Sequence, residues 1–569
     1  MAFQLSPGVN VSEIDLTTIV PAVGTTEGAF AGSFIWGPMD AVVTISNEVE
    51  LVNTFGKPDA NTFRSFFTAS NFLSYARNLK VVRAASNTVA KNAVANGSSG
   101  LLIKNRDSYE TEYMDLSAAN SYGMFAARYP GRLGNSLKVN LWASSNSVAY
   151  DTWTYKNEFN SVPGTSTYVD NVNGANDEMH IIVFDSGGSF TGVSNTVLEK
   201  FSYVSKAYDA TNDDGSSNYY VNVINERSRY IYILKHALNA NGIANTTNWG
   251  YSASNTTFSQ GLTEYDSTLR AGADGLPTDA DLIIAYDKFK NPEEVDISLI
   301  VTGAANNTVA EYVVDNIAGT RKDCVAFVSP LYADCVNNVG SEADDLITYR
   351  NLFNSSSYAV MDNNWKLQFD KYNNVYRWVP LNGDIAGLCV RTDFERDPWY
   401  SPAGFNRGQI KNVVKLAWNA DKTDRDELYK NGINPVVTFP GEGVVLYGDK
   451  TMLAKPSAFD RINVRRLFIV LEKAIARAAK YSLFEFNDEF TRAQFVALVE
   501  PFLRDVQGRR GIFDFRVVCD TTNNTPEVID RNEFIGDIYI KPARSINFIQ
   551  LNFVAVRTGV AFEEVVGKF

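Results

Sequence analysis

The chain has 569 residues, 45% of them hydrophobic and 12% aromatic, and carries a formal charge of −13. That length is several times the ~100–200 residues of a usual domain, so two to four domains with separate cores are expected. The acidic balance argues against nucleic acid as a partner, and no apolar run approaches the ~18–20 residues of a membrane span; the best, Leu467 to Ala479, is interrupted by Glu472, Lys473 and Arg477.

The N-terminal LSPGVNVSEID reads as a strand after a Pro7-Gly8 turn, with Val9 and Val11 on one face and Asn10 and Ser12 on the other. No hairpin turn follows before Pro21, so its partner is expected far along the chain or on another chain, and such open edges invite association. The N-terminus also reads without a charged-then-apolar leader, which argues against Sec export. Residues 22–87 give a βαβ-like start, with a helix in FRSFFTASNFLSYARN and a strand in LKVVRAAS. Residues 88–124 turn polar and small and read as an insertion or lid; 125–262, rich in Asn, Ser, Thr, Gly and Tyr, read as an exposed, mostly β domain with strands SLKVNLW and MHIIVFD.

Near residue 270 the texture changes. VDISLIVTG, NNTVAEYVVDNIAG and DCVAFVSP read as strand, helix ending at Gly319, and strand: a parallel crossover and the start of an α/β core. A hairpin follows in WKLQFDKYNNVYRWVP, turning at Asn373-Asn374, then a helix in TDRDELYKNG. The strongest helix runs from Asp460 to Tyr481, with Val464, Phe468, Leu471, Ile475 and Ala479 as its apolar stripe and Arg466, Lys473, Arg477 and Lys480 as a basic one. A second helix spans about Thr491 to Gln507, and GIFDFRVVCD, EFIGDIYIKPA and SINFIQLNFVAV close the chain as strands, the last with Ile549, Leu551, Phe553 and Ala555 on one face. Residues 451–569 hold 17 Lys/Arg against 15 Asp/Glu, while the first 450 hold 35 against 50, so a relatively basic C-terminal fifth could face an acidic partner.

Catalytic residue types are scarce. There are two histidines, His180 and His236, both in apolar stretches that favour packing over catalysis, and four cysteines without metal spacing, read as small buried residues. GVVLYGDKT is a decoy for a phosphate loop: Asp449 separates Gly448 from Lys450, and a strand, not a helix, adjoins it. DRDE at 424–427 and NDE at 487–489 read as helix-start carboxylates. No metal, cofactor or catalytic residue is therefore assigned.

Several stretches together resemble the tail sheath proteins of contractile-tailed bacteriophages. They are LSPGVNVSEID, TFGKP at 54–58, LKVVRA at 79–84, ARYPGRLGNSLKV at 127–139, DKYNNVYRWVPLNGDIAGLCVRTD at 370–393, SPAGFNRGQI at 401–410, INPVVTFPGEGVVLYGDKT at 433–451, and the run from FDRINVRRLF to KPARSINFIQLNFVAVRTG over 459–559. The resemblance is weakest over 88–124 and 145–262, where this chain reads as shorter than its large relatives.

The resemblance implies an α/β multidomain subunit, with an inner α/β core holding a mixed sheet, an outward mostly-β domain, and extended N- and C-terminal strand-donor arms. The expected division is 1–21 as N-terminal arm, 22–87 plus 125–262 as outer domain, 88–124 as a small outermost insertion, 263–420 as the first part of the core, 421–547 as the inner core facing a tube, and 548–569 as C-terminal strand and arm. It further implies a non-enzymatic subunit of the virion tail, assembled in the host cytoplasm. Its partners would be itself in six-fold rings and a helical stack, the tail tube protein, and baseplate and tail terminator proteins, with no nucleic acid and no direct membrane insertion. Val9, Asn10, Val11, Ser12, Ile549, Leu551, Phe553 and Ala555 become candidates for strand exchange between subunits, and Arg466, Lys473, Arg477 and Lys480 for contact with tube or neighbour. The alternatives are the sheath of a non-viral contractile injection system or bacteriocin and, from another class, a nucleotide-dependent α/β enzyme, for which the phosphate loop and catalytic His are missing.

Overall fold

In the computed structural model, residues 24–96, 100–114, 122–234, 248–260, 263–547 and 549–550 are described. Val9, Asn10, Val11, Ser12, His236, Leu551, Phe553 and Ala555 lie outside them.

The short apolar runs become the strands of one sheet: β1 (Gly28–Gly32), β2 (Val42–Ile45), β3 (Leu79–Arg83), β4 (Leu299–Val301), β5 (Val325–Val328), β6 (Ala359–Asp362) and β7 (Ile433–Asn434). Their order is β7-β6-β5-β4-β1-β3-β2, parallel throughout except for the antiparallel edge strand β2. Side chains alternate across the pleat. Ala29, Ala31, Ile300, Ala326 and Met361 pack into one layer with helix Asp279–Asp287 and the helical run that starts at Asn307. Phe30, Leu299, Val301, Phe327 and Val360 pack into the other with helices α1 (Phe63–Leu73) and α2 (Asn382–Glu395). Burial on both faces is why these strands read as continuous apolar runs.

The expected strand-helix-strand unit is present, with β4 and β5 parallel, but Gly319 does not end its helix. A π-turn over Val313–Ala318 adds a residue to the hydrogen-bond ladder, the helix continues through Gly319–Arg321, and Lys322 takes the left-handed cap at φ 61°. Helices α1 and α2 cross at close range. A Cβ on Gly383 would stand 2.5 Å from the Thr68 carbonyl oxygen, and one on Gly387 2.5 Å from the Tyr75 ring. The hairpin of Trp365–Asp370 and Val375–Pro380 turns at Asn374, whose φ is 54°. Beneath it the Lys366 amine meets the Asp384 carboxylate at 2.8 Å with both side chains fully buried. Of the carboxylates read as helix starts, Asp424 lies in the first turn of helix Lys422–Lys430, in a capping box with Asp421, while Asp426 and Glu427 fall past that turn; Asp488 caps helix Glu489–Gly508.

Three boundaries move. Residues 22–87 do not group with the outer domain, because β1 and β3 are hydrogen-bonded into the core sheet beside β4. The described part of the expected insertion at 88–124 is tied into its surroundings at Asn92 and Val94. Val94 bridges to both Ala126 and Arg270, and the fully buried Asn92 amide donates to the carbonyls of Ile103 and Ala127. The limit at 262 shifts as well, because strand 264–268 pairs with 137–142 of the preceding region, while β7, Val436, Val437 and Leu446 extend the core's two apolar layers beyond 420. The region expected to form the outer domain holds, together with 264–268, a four-stranded antiparallel sheet in the order 196–205, 178–185, 137–142, 264–268.

The C-terminal unit consists of α3 (Ile462–Ala479), α4 (Glu489–Gly508) and a two-stranded antiparallel ribbon, β8 (Ile512–Val518) with β9 (Asp537–Pro542). Its core gathers Leu467, Leu471, Phe495, Val499, Leu503, Val506 and Ile512. The buried face of α3 is Val464, Leu467, Leu471, Ala474 and Ala478; Phe468, Ile475 and Ala479 of the expected stripe are only half-buried. The helix is gripped on two sides, by the core sheet at Ile462 and Ile469 and by α4 at Leu467 and Leu471, so one narrow stripe cannot describe it.

Candidate assembly interface

The four basic residues expected to line one exposed face of α3 have different fates. Arg466 points inward. Its Nη1 and Nη2 donate to the two Asp393 carboxylate oxygens at 2.8 and 2.6 Å, and each side chain is 4% exposed. Lys473 is drawn onto the core, donating to Asp296 at 2.8 Å and to the carbonyl of Ile297. Arg477 is half-exposed beside Asp296 at 3.5 Å, and Lys480 is exposed. The stripe therefore divides into a buried half that docks α3 on the core and an outer half that faces solvent, which corrects the reading of Arg466 and Lys473 as open contact residues. Helical spacing shows which residues share a face; it does not show that carboxylates from Asp393 and Asp296 wait opposite them.

The described residues nearest each terminus lie close to α3. At the N-terminal side the Thr25 hydroxyl donates to Asp393 at 2.7 Å, and the Gly24 carbonyl accepts from the Ser298 hydroxyl, which lies 3.3 Å from the Lys473 amine. At the C-terminal side the Ser545 hydroxyl donates to Asp449 at 2.7 Å. The Asn547 amide donates to the Tyr429 hydroxyl, which itself donates to Asp449 at 3.2 Å and accepts from Arg461, the residue that caps α3. Asp449, noticed in the sequence only as a charge that spoils a phosphate loop, is thus a buried acceptor at the root of the C-terminal segment. Thr25, Asp393, Ser545 and Asn547 carry no sequence signal at all; each is a lone polar residue whose partner is tens to hundreds of positions away. Ile549 is 77% exposed.

Among the described residues the ribbon β8/β9 is two-stranded, with no third strand on either edge. Its inner face, Phe515, Val517, Ile538 and Ile540, lies on α4, while Phe513 and Tyr539 are exposed on the other. Beyond the last turn of α3, Tyr481, Leu483, Phe484, Phe486 and Phe490 are all more than 60% exposed within ten residues.

The decoys resolve as structure. His180 is buried, stacked on Phe159 with ring centroids 4.2 Å apart; it donates from Nε2 to the Ser161 carbonyl and accepts at Nδ1 from the Tyr203 amide. Gly443–Leu446 pairs with Val436–Phe439 in a hairpin closed by Gly441 and Gly443 at φ 84° and 78°, and the Lys450 amine donates to the Tyr429 carbonyl. The four cysteines are buried and free. No described helix is long and apolar enough to cross a membrane.

Comparison with known proteins places this arrangement. The chain is 35% identical to the tail sheath protein of Vibrio phage KVP40, over 99% of this chain and 100% of that protein. The chain belongs to the phage tail sheath protein family. The sheath protein of Enterobacteria phage T4 is also 35% identical, over 99% of each chain, in an alignment of 674 positions, longer than the present 569 residues, so that relative carries insertions. The phage tail sheath central-domain profile matches residues 275–452 and the sheath C-terminal-domain profile 454–555, a junction that falls between the core sheet and α3. Among solved structures, the sheath tail protein of Listeria innocua shares the fold, with a TM-score of 0.51 at 13% identity over 92% of this chain and 96% of that one. Sheath proteins are structural components of the phage tail, not enzymes, and the protein is accordingly a tail sheath subunit of the kind found in contractile phage tails.

Proposed function

We propose that this sheath protein polymerises as stacked six-fold rings around a tail tube and contracts to drive the tube through the host envelope for genome delivery. The terminal segments act as strand donors to neighbouring subunits. The observation that carries this reading is the ribbon β8/β9: two strands with no third strand beside them among the described residues, in a chain whose described residues nearest each terminus, Thr25 and Ser545, are held close to α3 of the same unit. Strand addition at an open edge satisfies main-chain donors and acceptors while alternate side chains set the register. One strand from each of two neighbours would complete a four-stranded sheet, and a mesh of such sheets holds subunits together while their globular parts change neighbours.

The exposed end of α3, Arg477 and Lys480, together with the aromatic loop 481–490, faces the tube in this reading. A patch of large apolar side chains of this density on a free subunit is characteristic of an assembly surface. Baseplate and terminator proteins would meet the two ends of the stack. Contraction needs no fuel if the extended array is a metastable state selected by assembly on the tube and the contracted array has more favourable contacts between rigid units.

Negative-stain microscopy of the purified protein mixed with its tail tube tests the reading. Striated six-fold sheaths around the tube are expected; a protein that stays monomeric, or polymerises without regard to the tube, would overturn it.

A further inference from the structure

The described residues nearest each terminus are held by buried carboxylates that both contact α3. Thr25 is bound to Asp393, the partner of Arg466 on α3; Ser545 and Asn547 are bound to the Asp449–Tyr429 pair, which contacts Arg461 at the start of α3. Between these two clamps the Asn463 amide donates to the Ala543 carbonyl at 3.4 Å. Each clamp uses a carboxylate that is almost fully removed from solvent: the side chains of Asp393 and Asp449 are 4% and 5% exposed. A carboxylate held this way accepts short, directional hydrogen bonds, so the chain leaving it has a fixed starting point and direction. These contacts are not needed to bury apolar surface, since Ser545 and Asn547 sit at the periphery and the apolar layers lie elsewhere.

We propose that Asp393, on α2, and Asp449, in the loop after the 436–446 hairpin, are positioning residues for strand exchange: each contacting α3, through Arg466 and Arg461, they fix the points from which the N- and C-terminal arms leave the subunit, so that both arms reach their neighbours in a constant relative geometry. This rests on the strand-donor reading above. Ordering an arm root in the free subunit removes part of the conformational cost of donation, which is how preorganisation strengthens association without new contacts. It also couples the arms: α3 contacts both carboxylates, through Arg466 and Arg461, so a movement of α3 relative to the core disturbs both roots together.

The test leaves the buried ion pairs intact and removes only the groups that reach them. Thr25→Val and the pair Ser545→Ala/Asn547→Ala are compared with Thr25→Ser, which keeps a hydroxyl, and with deletion of residues 1–20. Hydrogen exchange of the free subunit should rise at residues 24–27 in Thr25→Val and at 543–550 in the Ser545/Asn547 variant, with unchanged exchange in the core strands. The protein concentration needed for polymerisation should rise about tenfold in each, as expected for losing one or two charge-assisted hydrogen bonds. Thr25→Ser should restore both readouts. Unchanged polymerisation in the two loss variants, or weakened polymerisation with unchanged exchange at the roots, overturns the positioning role. If the 1–20 deletion still forms tubular assemblies of normal length, the strand-donor reading itself fails, a result distinct from either of these.

Discussion

Arg466 and Asp393 face each other inside the protein as a doubly hydrogen-bonded ion pair, at 2.8 and 2.6 Å, joining α3 of the C-terminal unit to α2 of the core. Removing two charges from water is costly, and the pair offsets that cost only while both partners are present. Asp393→Ala would leave a buried guanidinium without its carboxylate and is expected to destabilise the protein by about 3–5 kcal/mol. The double variant Arg466→Met/Asp393→Leu should recover most of that loss. Urea denaturation of the free subunits measures both; equal stability of the single and double variants would show that the pair is not what the interface depends on.

The outer half of the stripe should behave in the opposite way. Arg477→Glu/Lys480→Glu alters groups that are half-exposed or exposed, where a single ion pair contributes about 1 kcal/mol or less. Subunit stability is therefore expected to stay within that range. Co-sedimentation with tail tubes should fall sharply and recover little at low salt, because the charge is reversed and not merely screened. Normal co-sedimentation would return Arg477 and Lys480 to an ordinary solvated helix end.

Gly383→Ala tests the crossing of α1 and α2. The new methyl would sit 2.5 Å from the Thr68 carbonyl oxygen, a backbone atom that cannot rotate away, so the helices must separate. Overpacking of this kind costs about 1–3 kcal/mol. A lowered thermal midpoint with an intact outer domain is expected, whereas an unchanged midpoint would mean the layer yields at no cost.

How far these features were legible depended on whether their cause is local. Alternation and apolar runs identified the strands at 79–83, 299–301 and 325–328 and the hairpin at 365–380 because burial on a pleated sheet writes itself into neighbouring residues. The membership of β1 and β3 in the core sheet was not legible, since a parallel partner more than 200 residues away leaves no mark on Gly28–Gly32. The same distinction separates the basic residues of α3. Their spacing was visible, but Arg466 is buried because of Asp393 and Lys473 is drawn inward by Asp296, and neither acid is near them in sequence. The arm roots were wholly illegible: Thr25, Ser545 and Asn547 are ordinary polar residues until the fold brings a buried carboxylate to them.

His180 gives the outer domain a defined response to acid. Burial holds its imidazole at a pKa of about 4, below the ordinary 6.5, and the neutral ring is fixed as the Nε2–H tautomer by Ser161 and the Tyr203 amide. Because the folded pKa is the lower one, the unfolded state binds more protons between about pH 6.5 and 4. Stability is therefore full above that window and falls as pH drops through it, by up to about 3 kcal/mol. His180→Gln keeps a donor and an acceptor but cannot titrate. Hydrogen exchange of strand Glu178–Asp185, followed from pH 7 to pH 4 and corrected for the intrinsic rate, should show progressive loss of protection in the parent protein and a nearly flat profile in the variant. An identical acid response in both would assign the sensitivity to the carboxylates of the domain instead of to this ring.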